Sequence, residues 1–382
     1  MSVRFSTFGP HISKIDQQYV SKALKLKSWY NRPYYFVEKF EKEFSKYCGR
    51  KFCLLTPNCT SAIHLFLHSL NLKKNDEIII PESTWIATAS PAFQTKAKVI
   101  FCDVEENNFC ISLDSIKKLV TKKTKVIIAV DVYGNMPDFK NLEKYCKQKK
   151  IILLEDAAEG LGSSLNKKKA GSFGDASVFS FHRTKTITTG EGGALLLDNK
   201  KMFTRCKMLR DHGRYPWTKD LFNEEFSFKY MPSNIQGALA CSQLSKISLL
   251  LKLKRNIFLN YKFNLKKIKN EILMNQDNSK VINSCWSIIV YFKNLNNKYI
   301  KNIKEELIKN NFFPRPFFYP LTSIPAYKKV NKNYKKFKTQ NPIAYKTHTK
   351  GLVLPSSYIL SKIQIQKISN IIIKNVLQKK ND

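Results

Sequence analysis

The sequence lacks any stretch of about 18 uninterrupted apolar residues, the length that a membrane-spanning helix needs. Its first thirty residues also contain no basic segment followed by a short apolar run, which is the pattern of a secretion signal. Disorder is a poor interpretation, because 43% of the 382 residues are hydrophobic and 12% are aromatic, enough to bury a large core. We therefore expect a soluble, cytoplasmic protein with no membrane partner.

Motifs for metal and dinucleotide binding are also missing. None of the nine cysteines stands in a Cys-x-x-Cys pair, their number is odd, and no His, Cys and Asp cluster has the spacing of metal ligands. The 13 glycines form neither a strand-borne Gly-x-Gly-x-x-Gly nor a phosphate-binding P-loop. We expect reduced thiols and no metal ion.

Acidic residues are scarce, since 29 Asp and Glu stand against 66 Lys and Arg, which gives a formal net charge of +37. Such a charge fits a nucleic-acid binder or a protein that attracts anionic metabolites. The lysines are scattered among Asn and Ile, for example over 264–275, 294–311 and 328–338, and are not gathered on one helix with interleaved aromatics. We expect a solvated basic surface and no nucleic-acid partner; a non-catalytic basic regulator or nucleic-acid binder is the alternative.

Apolar runs of strand length alternate with helical patterns through the first 200 residues, which predicts an α/β fold with a mostly parallel sheet. The predicted strands cover 52–55, 77–81, 99–104, 125–132, 151–155, 176–181 and 194–197. Apolar residues at helical spacing predict helices over 60–70, 113–120 and 139–148, which would cover both faces of the sheet.

After about residue 245 the rhythm changes, which predicts a second, smaller α+β domain. We expect helices over 247–268, 300–310 and 360–377, and an extended segment over 285–292. The predicted organisation is a large domain over residues 1–245 and a small C-terminal domain over 246–382.

The most informative segment pairs an acid with a lysine. Asp156 stands at the carboxyl end of one predicted strand and Lys185 follows the next, so both reach the sheet edge at which ligands bind in open α/β sheets. An amine that forms a Schiff base, opposite a carboxylate that keeps a ring nitrogen protonated, suits a pyridine cofactor. Taken alone, Asp156 could cap a helix and Lys185 could be a solvated surface lysine. Their spacing favours the cofactor interpretation.

The sequence around this pair resembles the DegT/DnrJ/EryC1/StrS family of sugar aminotransferases. The resemblance rests on Glu-Asp-Ala-Ala-Glu at 155–159, Gly-Ser-Phe-Gly-Asp at 171–175 and Ser-Phe-His-Arg-Thr-Lys-Thr-Ile-Thr-Thr-Gly-Glu-Gly-Gly at 180–193, and the pattern is most similar to the perosamine synthase group. It implies a fold-type-I architecture with a seven-stranded sheet and pyridoxal 5'-phosphate as cofactor. Asp156 would face the ring nitrogen, and Lys185 would be the catalytic lysine.

The family motifs imply further contacts to the cofactor. Thr60 and Ser61, at the start of a helix, correspond to residues that hold its phosphate, and Ser180 corresponds to a phosphate-binding serine. Trp85 matches an aromatic residue that stacks on the pyridine ring, and Glu159 matches a residue that faces the ring hydroxyl. A simpler alternative exists for most of these positions. Thr60 and Ser61 could merely cap the helix, and Trp85 could be a core aromatic. Glu159 could be an ordinary acidic residue in the first turn of a helix.

Three further positions are carried over from the family to the substrates or the partner chain, and His182 is added because it lies beside the lysine in the sequence. Lys229 lies near a residue that reaches the phosphate from the neighbouring subunit, which implies a homodimer with shared active sites. Arg315 and Tyr319 belong to a segment that the family uses near the sugar and the amino donor. His182 could be a general base, a sugar contact or a packing residue, and we take it as a substrate contact.

The resemblance implies transfer of the amino group of L-glutamate to a nucleotide-linked 4-keto-6-deoxy sugar, which is GDP-linked in the perosamine synthase group. Aminotransferases for dTDP- or UDP-linked 3- or 4-keto sugars are the alternatives. A related group that dehydrates sugars carries histidine in place of the lysine, so Lys185 argues against that activity. Biosynthesis of a surface polysaccharide such as O-antigen is the implied pathway.

Overall fold

The structure of the protein, a computed structural model, describes residues 5–6, 8–215, 222–331 and 333–378. Its strands, numbered in chain order, are β1 (Phe5–Ser6), β2 (Phe52–Thr56), β3 (Glu77–Pro81), β4 (Lys98–Cys102), β5 (Thr124–Val130), β6 (Ile152–Asp156), β7 (Ser164–Leu165), β8 (Lys168–Lys169), β9 (Ala176–Ser180), β10 (Gly193–Leu197), β11 (Ile272–Met274), β12 (Val281–Ile282), β13 (Ile288–Phe292), β14 (Phe312–Phe313), β15 (Arg315–Pro316) and β16 (Gly351–Leu354). The α-helices are α1 (Lys14–Leu24), α2 (Leu26–Asn31), α3 (Tyr35–Cys48), α4 (Cys59–Ser69), α5 (Ile86–Phe93), α6 (Leu113–Leu119), α7 (Phe139–Lys149), α8 (Lys200–Arg210), α9 (Asn234–Ser245), α10 (Ile247–Asn264), α11 (Asn297–Lys309), α12 (Pro325–Val330), α13 (Phe337–Gln340), α14 (Pro342–His348) and α15 (Lys362–Gln378).

The main sheet has seven strands in the order β2-β10-β9-β6-β5-β3-β4. All of its pairs are parallel except those of β10, which runs antiparallel to both β2 and β9. Every strand predicted from the first 200 residues is present, with ends that shift by one or two residues. The prediction of a mostly parallel seven-stranded sheet is confirmed.

Apolar residues dominate these strands because helices cover both faces of the sheet. In β3, Ile79 belongs to one core cluster, whereas Ile78 and Ile80 belong to the other. Successive side chains of a strand point to opposite faces, and here both directions are fully buried, as for Leu54 and Leu55 in β2. A ligand can therefore reach this sheet only at its edges.

A second, antiparallel sheet of four strands has the order β11-β13-β16-β15. Helices α10, α11 and α15 pack against it through a separate apolar cluster that includes Phe258, Leu307 and Ile368. This arrangement has the α+β character expected after residue 245. The division into two domains at residues 245 and 246 stays a prediction.

Three boundaries in this part differ from the sequence expectations for local reasons. The strand expected from residue 285 begins only at Ile288, because Cys285 has φ +56° and its backbone nitrogen donates to the side chain of Asn283 at 2.7 Å. The helix expected to continue to residue 268 ends at Asn264 and finishes as a 3-10 turn. Helix α11 begins earlier than expected because Asn296 caps it, accepting from the backbone nitrogens of two residues in its first turn.

No helix among the described residues is both long enough and apolar enough to cross a membrane. All nine cysteines are buried and unpaired, with no disulfide among them. This agrees with the reduced thiols expected from the sequence.

One buried lysine makes the stability of the protein depend on pH. Lys254 of α10 is only 1% exposed, and burial lowers its pKa from the usual 10.5 to about 7. Between these values the unfolded chain binds the proton and the folded protein does not, so the free energy of unfolding rises with pH in this window. The contribution of one such group is up to about 1.4 kcal/mol per pH unit.

Lys254→Met is therefore expected to remove this pH dependence. In urea titrations, the stability of the variant relative to wild type should be greater at pH 7 than at pH 8.5, because only the wild type gains stability from this residue over that interval. The hydrogen bond that Lys254 donates to the carbonyl of Ser356 is lost at every pH and cancels in the slope. Parallel curves for the two proteins would contradict the prediction.

Candidate active site

A cavity of about 650 Å³ opens at the carboxyl ends of the parallel strands of the main sheet. Asp156 ends β6 and Ser180 ends β9, while Thr60 and Trp85 follow β2 and β3 at the same edge. Among the residues predicted from the sequence, those that line the cavity are Thr60, Trp85, Asp156, Glu159, Ser180, His182, Lys185, Arg315 and Tyr319. The structure therefore brings together residues that are separated by more than 250 positions in the chain.

Asp156 is the buried acid of the cavity. Its carboxylate accepts a hydrogen bond from the hydroxyl of Thr88 at 2.7 Å and one from the backbone nitrogen of Ala158 at 3.2 Å. Burial raises the pKa of Asp156 above its usual value, and these hydrogen bonds and the charge of Lys185 oppose that effect. A positively charged ligand group against this carboxylate would stabilise its ionised form.

Lys185 lies in the loop between β9 and β10, and its side chain is mostly buried. Its Nζ stands 3.5 Å from Oε1 of Glu159 and 3.9 Å from the ring centroid of Trp286. The other carboxylate oxygen of Glu159 accepts from the backbone nitrogen of Tyr133 at 2.8 Å. Burial raises the pKa of Glu159, whereas the charge of Lys185 lowers it. The amine is thus held inside the cavity and is not a solvated surface group.

The start of helix α4 forms another wall. Asn58 caps this helix, because its side chain accepts from the backbone nitrogen of Ser61 at 2.8 Å. Gly193 lies against the same turn, where a Cβ would stand 2.4 Å from the backbone nitrogen of Cys59, so only glycine allows this approach. Thr60 lines the cavity at the helix N-terminus, a position that favours an anion. Helix capping was the alternative role for the side chains of Thr60 and Ser61, but the side chain of Asn58 caps this helix.

Aromatic side chains form the upper wall. Trp85 is 61% exposed, so it is not a core aromatic, and its ring centroid lies 6.2 Å from that of Phe318. Phe318 in turn stacks on Tyr133 at 5.2 Å. Tyr319 is also exposed and contacts the ring of His348 at 4.2 Å.

The cavity is also lined by two basic groups, His182 and Arg315. His182 shares a hydrogen bond with the hydroxyl of Thr184 at 2.9 Å and stands 3.5 Å from Glu191. Burial lowers the pKa of His182, against the opposing charge of Glu191. The guanidinium of Arg315 lies 4.8 Å from the ring centroid of Phe8, and burial lowers its pKa too.

Two predicted residues stand outside the cavity lining of this chain. Ser61 follows Thr60 in α4 and contributes its backbone nitrogen to the helix cap. The amine of Lys229 pairs with Asp211 at 2.5 Å, and the two residues also form a backbone bridge. The roles carried over for both residues stay predictions.

Sequence reasoning missed several residues of the site. Thr88 stands one helical turn after Trp85, so its position beside the acid could have been anticipated from helical spacing. Tyr133 lies in the Asp-Val-Tyr-Gly segment at 131–134, which by itself indicates no role for the ring. Phe8 and Trp286 line the cavity from remote parts of the chain, and nothing local in the sequence indicates this.

The residues present fit the pyridoxal phosphate that the sequence resemblance implies. An amine and a buried carboxylate lie in one cavity with a helix N-terminus, a hydroxyl at the end of β9 and an exposed indole ring. This is the donor set that an aldehyde, a ring nitrogen, a phosphate and an aromatic face require. In the described parts of the chain, no group of three or more His, Cys, Asp or Glu is arranged to hold a metal ion.

Comparisons with known proteins agree with this assignment. A family model described as the DegT/DnrJ/EryC1/StrS aminotransferase family matches residues 10–373. GDP-perosamine synthase of Vibrio cholerae is 28% identical over 365 residues, which cover 96% of this chain and 97% of that protein. UDP-4-amino-4,6-dideoxy-N-acetyl-beta-L-altrosamine transaminase of Campylobacter jejuni is 35% identical over 216 residues, which cover 55% of this chain and 57% of that protein.

Solved structures show the same fold. Spr1654 of Streptococcus pneumoniae in its PMP form has a TM-score of 0.89 at 23% identity and covers 98% of this chain and 99% of that one. Its PLP form has a TM-score of 0.87. The fold-type-I architecture expected from the sequence is thereby confirmed.

Proposed function

The chain belongs to the DegT/DnrJ/EryC1/StrS aminotransferase family and is a pyridoxal-phosphate-dependent sugar aminotransferase, and we propose that it moves the amino group of L-glutamate onto a GDP-linked 4-keto-6-deoxy sugar. The observation that carries the assignment of roles is the amine of Lys185 in one cavity with the buried carboxylate of Asp156. A non-catalytic basic regulator is set aside, because the family consists of enzymes.

In this proposal the side chains divide the work of binding and proton transfer. Pyridoxal phosphate, when bound, supplies an aldehyde for covalent attachment and a ring that withdraws electrons from the reacting carbon. Asp156 keeps a proton on the ring nitrogen by charge pairing. The N-terminus of α4, with Thr60, and the hydroxyl of Ser180 hold the phosphate. Trp85 covers the ring face and limits access of water.

Lys185 moves the proton in both halves of the reaction. Its Nζ would take a proton from Cα of glutamate as a general base and return it as a general acid, after which water would release 2-oxoglutarate and the amino group would stay behind for the keto sugar. The steps run backward when the keto sugar takes the place of the donor. Glu159, 3.5 Å from Nζ, keeps the amine directed into the cavity.

The choice of a GDP-linked acceptor rests on the alignment with the Vibrio cholerae synthase, which extends over nearly the whole of both chains. We expect kcat/KM for GDP-4-keto-6-deoxymannose to exceed that for dTDP- or UDP-linked keto sugars by at least about tenfold, because a nucleotide base is recognised through hydrogen bonds that a different base leaves unmade. Formation of 2-oxoglutarate from glutamate measures each rate. A preference for a dTDP- or UDP-linked sugar would replace the proposed acceptor without affecting the aminotransferase assignment.

We also propose a homodimer in which Lys229 completes the partner's site. A mixture of Lys185→Ala and Lys229→Ala proteins, refolded together, should then recover up to about a quarter of wild-type activity, since each mixed dimer contains one intact site. Both variants alone should be nearly inactive. No recovery in a mixture shown by mass spectrometry to contain mixed dimers would place Lys229 at its own chain's site, and wild-type activity of Lys229→Ala alone would show that it belongs to no active site.

A further inference from the structure

The peptide that carries Lys185 is held from both sides by residues of the C-terminal part of the chain. The indole nitrogen of Trp286 donates to the carbonyl of Thr184 at 2.8 Å. The hydroxyl of Tyr358 donates to the carbonyl of Thr186 at 3.0 Å. The carbonyls of the residues before and after Lys185 therefore both accept hydrogen bonds from aromatic side chains that are distant in sequence.

The amine of Lys185 also contacts the ring of Trp286. Nζ of Lys185 stands 3.9 Å from its centroid, a distance at which an ammonium is attracted to an indole face. Phe8 stacks on the same indole at 4.5 Å with an interplanar angle of 6°. The stacked phenyl ring restricts rotation of the indole and so helps to fix its plane.

Residues of helix α10 hold the segment that carries Tyr358. Lys254 donates to the carbonyl of Ser356 at 2.7 Å, and its amine stands 4.6 Å from the ring centroid of Tyr358. The hydroxyl of Tyr261 donates to the carbonyl of Pro355 at 2.8 Å. The segment over 355–358 is thus a rigid support anchored to a buried helix face.

We propose that Trp286 and Tyr358 act as positioning residues for Lys185, a pair that we call the lysine clamp. Four rotatable bonds separate the amine from the backbone, whereas proton transfer requires donor and acceptor within about 3 Å. The lysine clamp fixes the peptide at both ends, and the indole face gives the free amine one resting place beside Glu159. This inference rests on the proposed role of Lys185.

The matched substitutions Tyr358→Phe and Tyr261→Phe test the backbone part of the lysine clamp. Each removes one phenol hydroxyl that donates to a backbone carbonyl, but only Tyr358 is bonded next to Lys185. We expect kcat to fall about threefold to tenfold in Tyr358→Phe with KM for both substrates within twofold, because an ill-placed amine slows proton transfer and leaves binding intact. Tyr261→Phe acts one step further from Lys185, through Pro355, and should lower kcat by less than about twofold. An equal loss of kcat in the two variants would overturn the proposal.

Chemical labelling of cofactor-free protein tests the indole part without any activity measurement. Acetic anhydride at low concentration, followed by peptide mass spectrometry, gives the acetylation rate of Lys185 relative to exposed lysines. We expect that rate to rise at least about threefold in Trp286→Leu, which loses the aromatic face, and less in Trp286→Phe, which keeps one. An unchanged rate in Trp286→Leu would exclude the resting place. If that variant does not fold, the same comparison is made with Trp286→Phe and Tyr358→Phe, and unchanged rates in both contradict the proposal.

A wrong role for Lys185 and a wrong role for the lysine clamp would give different experimental results. If Lys185 were not the cofactor lysine, Lys185→Ala would retain covalent attachment of the cofactor, whereas the labelling rates, measured without cofactor, would still follow the contacts of Trp286. If only the lysine clamp were wrong, Lys185→Ala would lose the attachment and the clamp variants would behave like Tyr261→Phe.

Discussion

Lys185→Ala is expected to abolish turnover, with kcat reduced by ~10⁴-fold or more, because one change removes both the point of covalent attachment and the proton carrier. The amine is the basic group that stands between Glu159 and Trp286 in the cavity. No other lysine lines the cavity in the described part of the chain. The yellow absorption of cofactor bound through a lysine should disappear together with activity.

The remaining contacts should still allow the cofactor to bind without a covalent link. Asp156, Thr60 and Ser180 are unchanged in the variant, so equilibrium dialysis should detect retained but weaker binding. The surface substitution Lys201→Ala serves as control and should leave both the spectrum and kcat unaltered. Cofactor that stays attached to Lys185→Ala protein after borohydride reduction and denaturation, detected by peptide mass spectrometry, would show that another lysine is the attachment site.

The main sheet could be predicted from the sequence because its signal is local. Each strand is a short apolar run that is buried on both faces, and the helices between the strands carry their own spacing of apolar residues. Asp156 and Lys185 could be paired for the same reason, since parallel strands bring their carboxyl ends to one edge. The strand order and the antiparallel direction of β10 depend on pairings between distant segments, which a local apolar pattern does not specify.

The parts of the site that escaped prediction come from distant segments. Trp286 contacts Lys185, and Phe8 stacks on Trp286, because distant segments pack together beside the cavity. Tyr358 reaches the lysine loop from the segment after β16. No periodicity encodes such contacts. Short helices such as α12 and α14 also lack a sequence signal of their own. Segments of that length are not stable helices in isolation, so their helical structure depends on tertiary packing.

Asp156→Asn is expected to separate catalysis from folding and cofactor attachment. Asparagine has nearly the same volume and can still accept the hydrogen bond from Thr88, but it carries no charge to hold a proton on a ring nitrogen. We expect the variant to keep its yellow colour through Lys185, with kcat reduced by about 10²–10³-fold. Burial raises the pKa of Asp156, so the ionised form is costly without a cationic partner, and the neutral residue should leave the thermal unfolding temperature equal or higher.

Thr88→Val provides the graded comparison, because it removes the 2.7 Å hydrogen bond to Asp156 and leaves the charge in place. Its kcat should fall by about tenfold, less than in Asp156→Asn, because the carboxylate loses orientation but not its charge. Stopped-flow spectra of the reaction with glutamate alone would locate the defect in the first half-reaction, before the sugar takes part. If Asp156→Asn retained kcat within threefold of wild type, the acid would be a structural residue of the sheet edge, and the chemistry assigned to the ring nitrogen would need another charged partner.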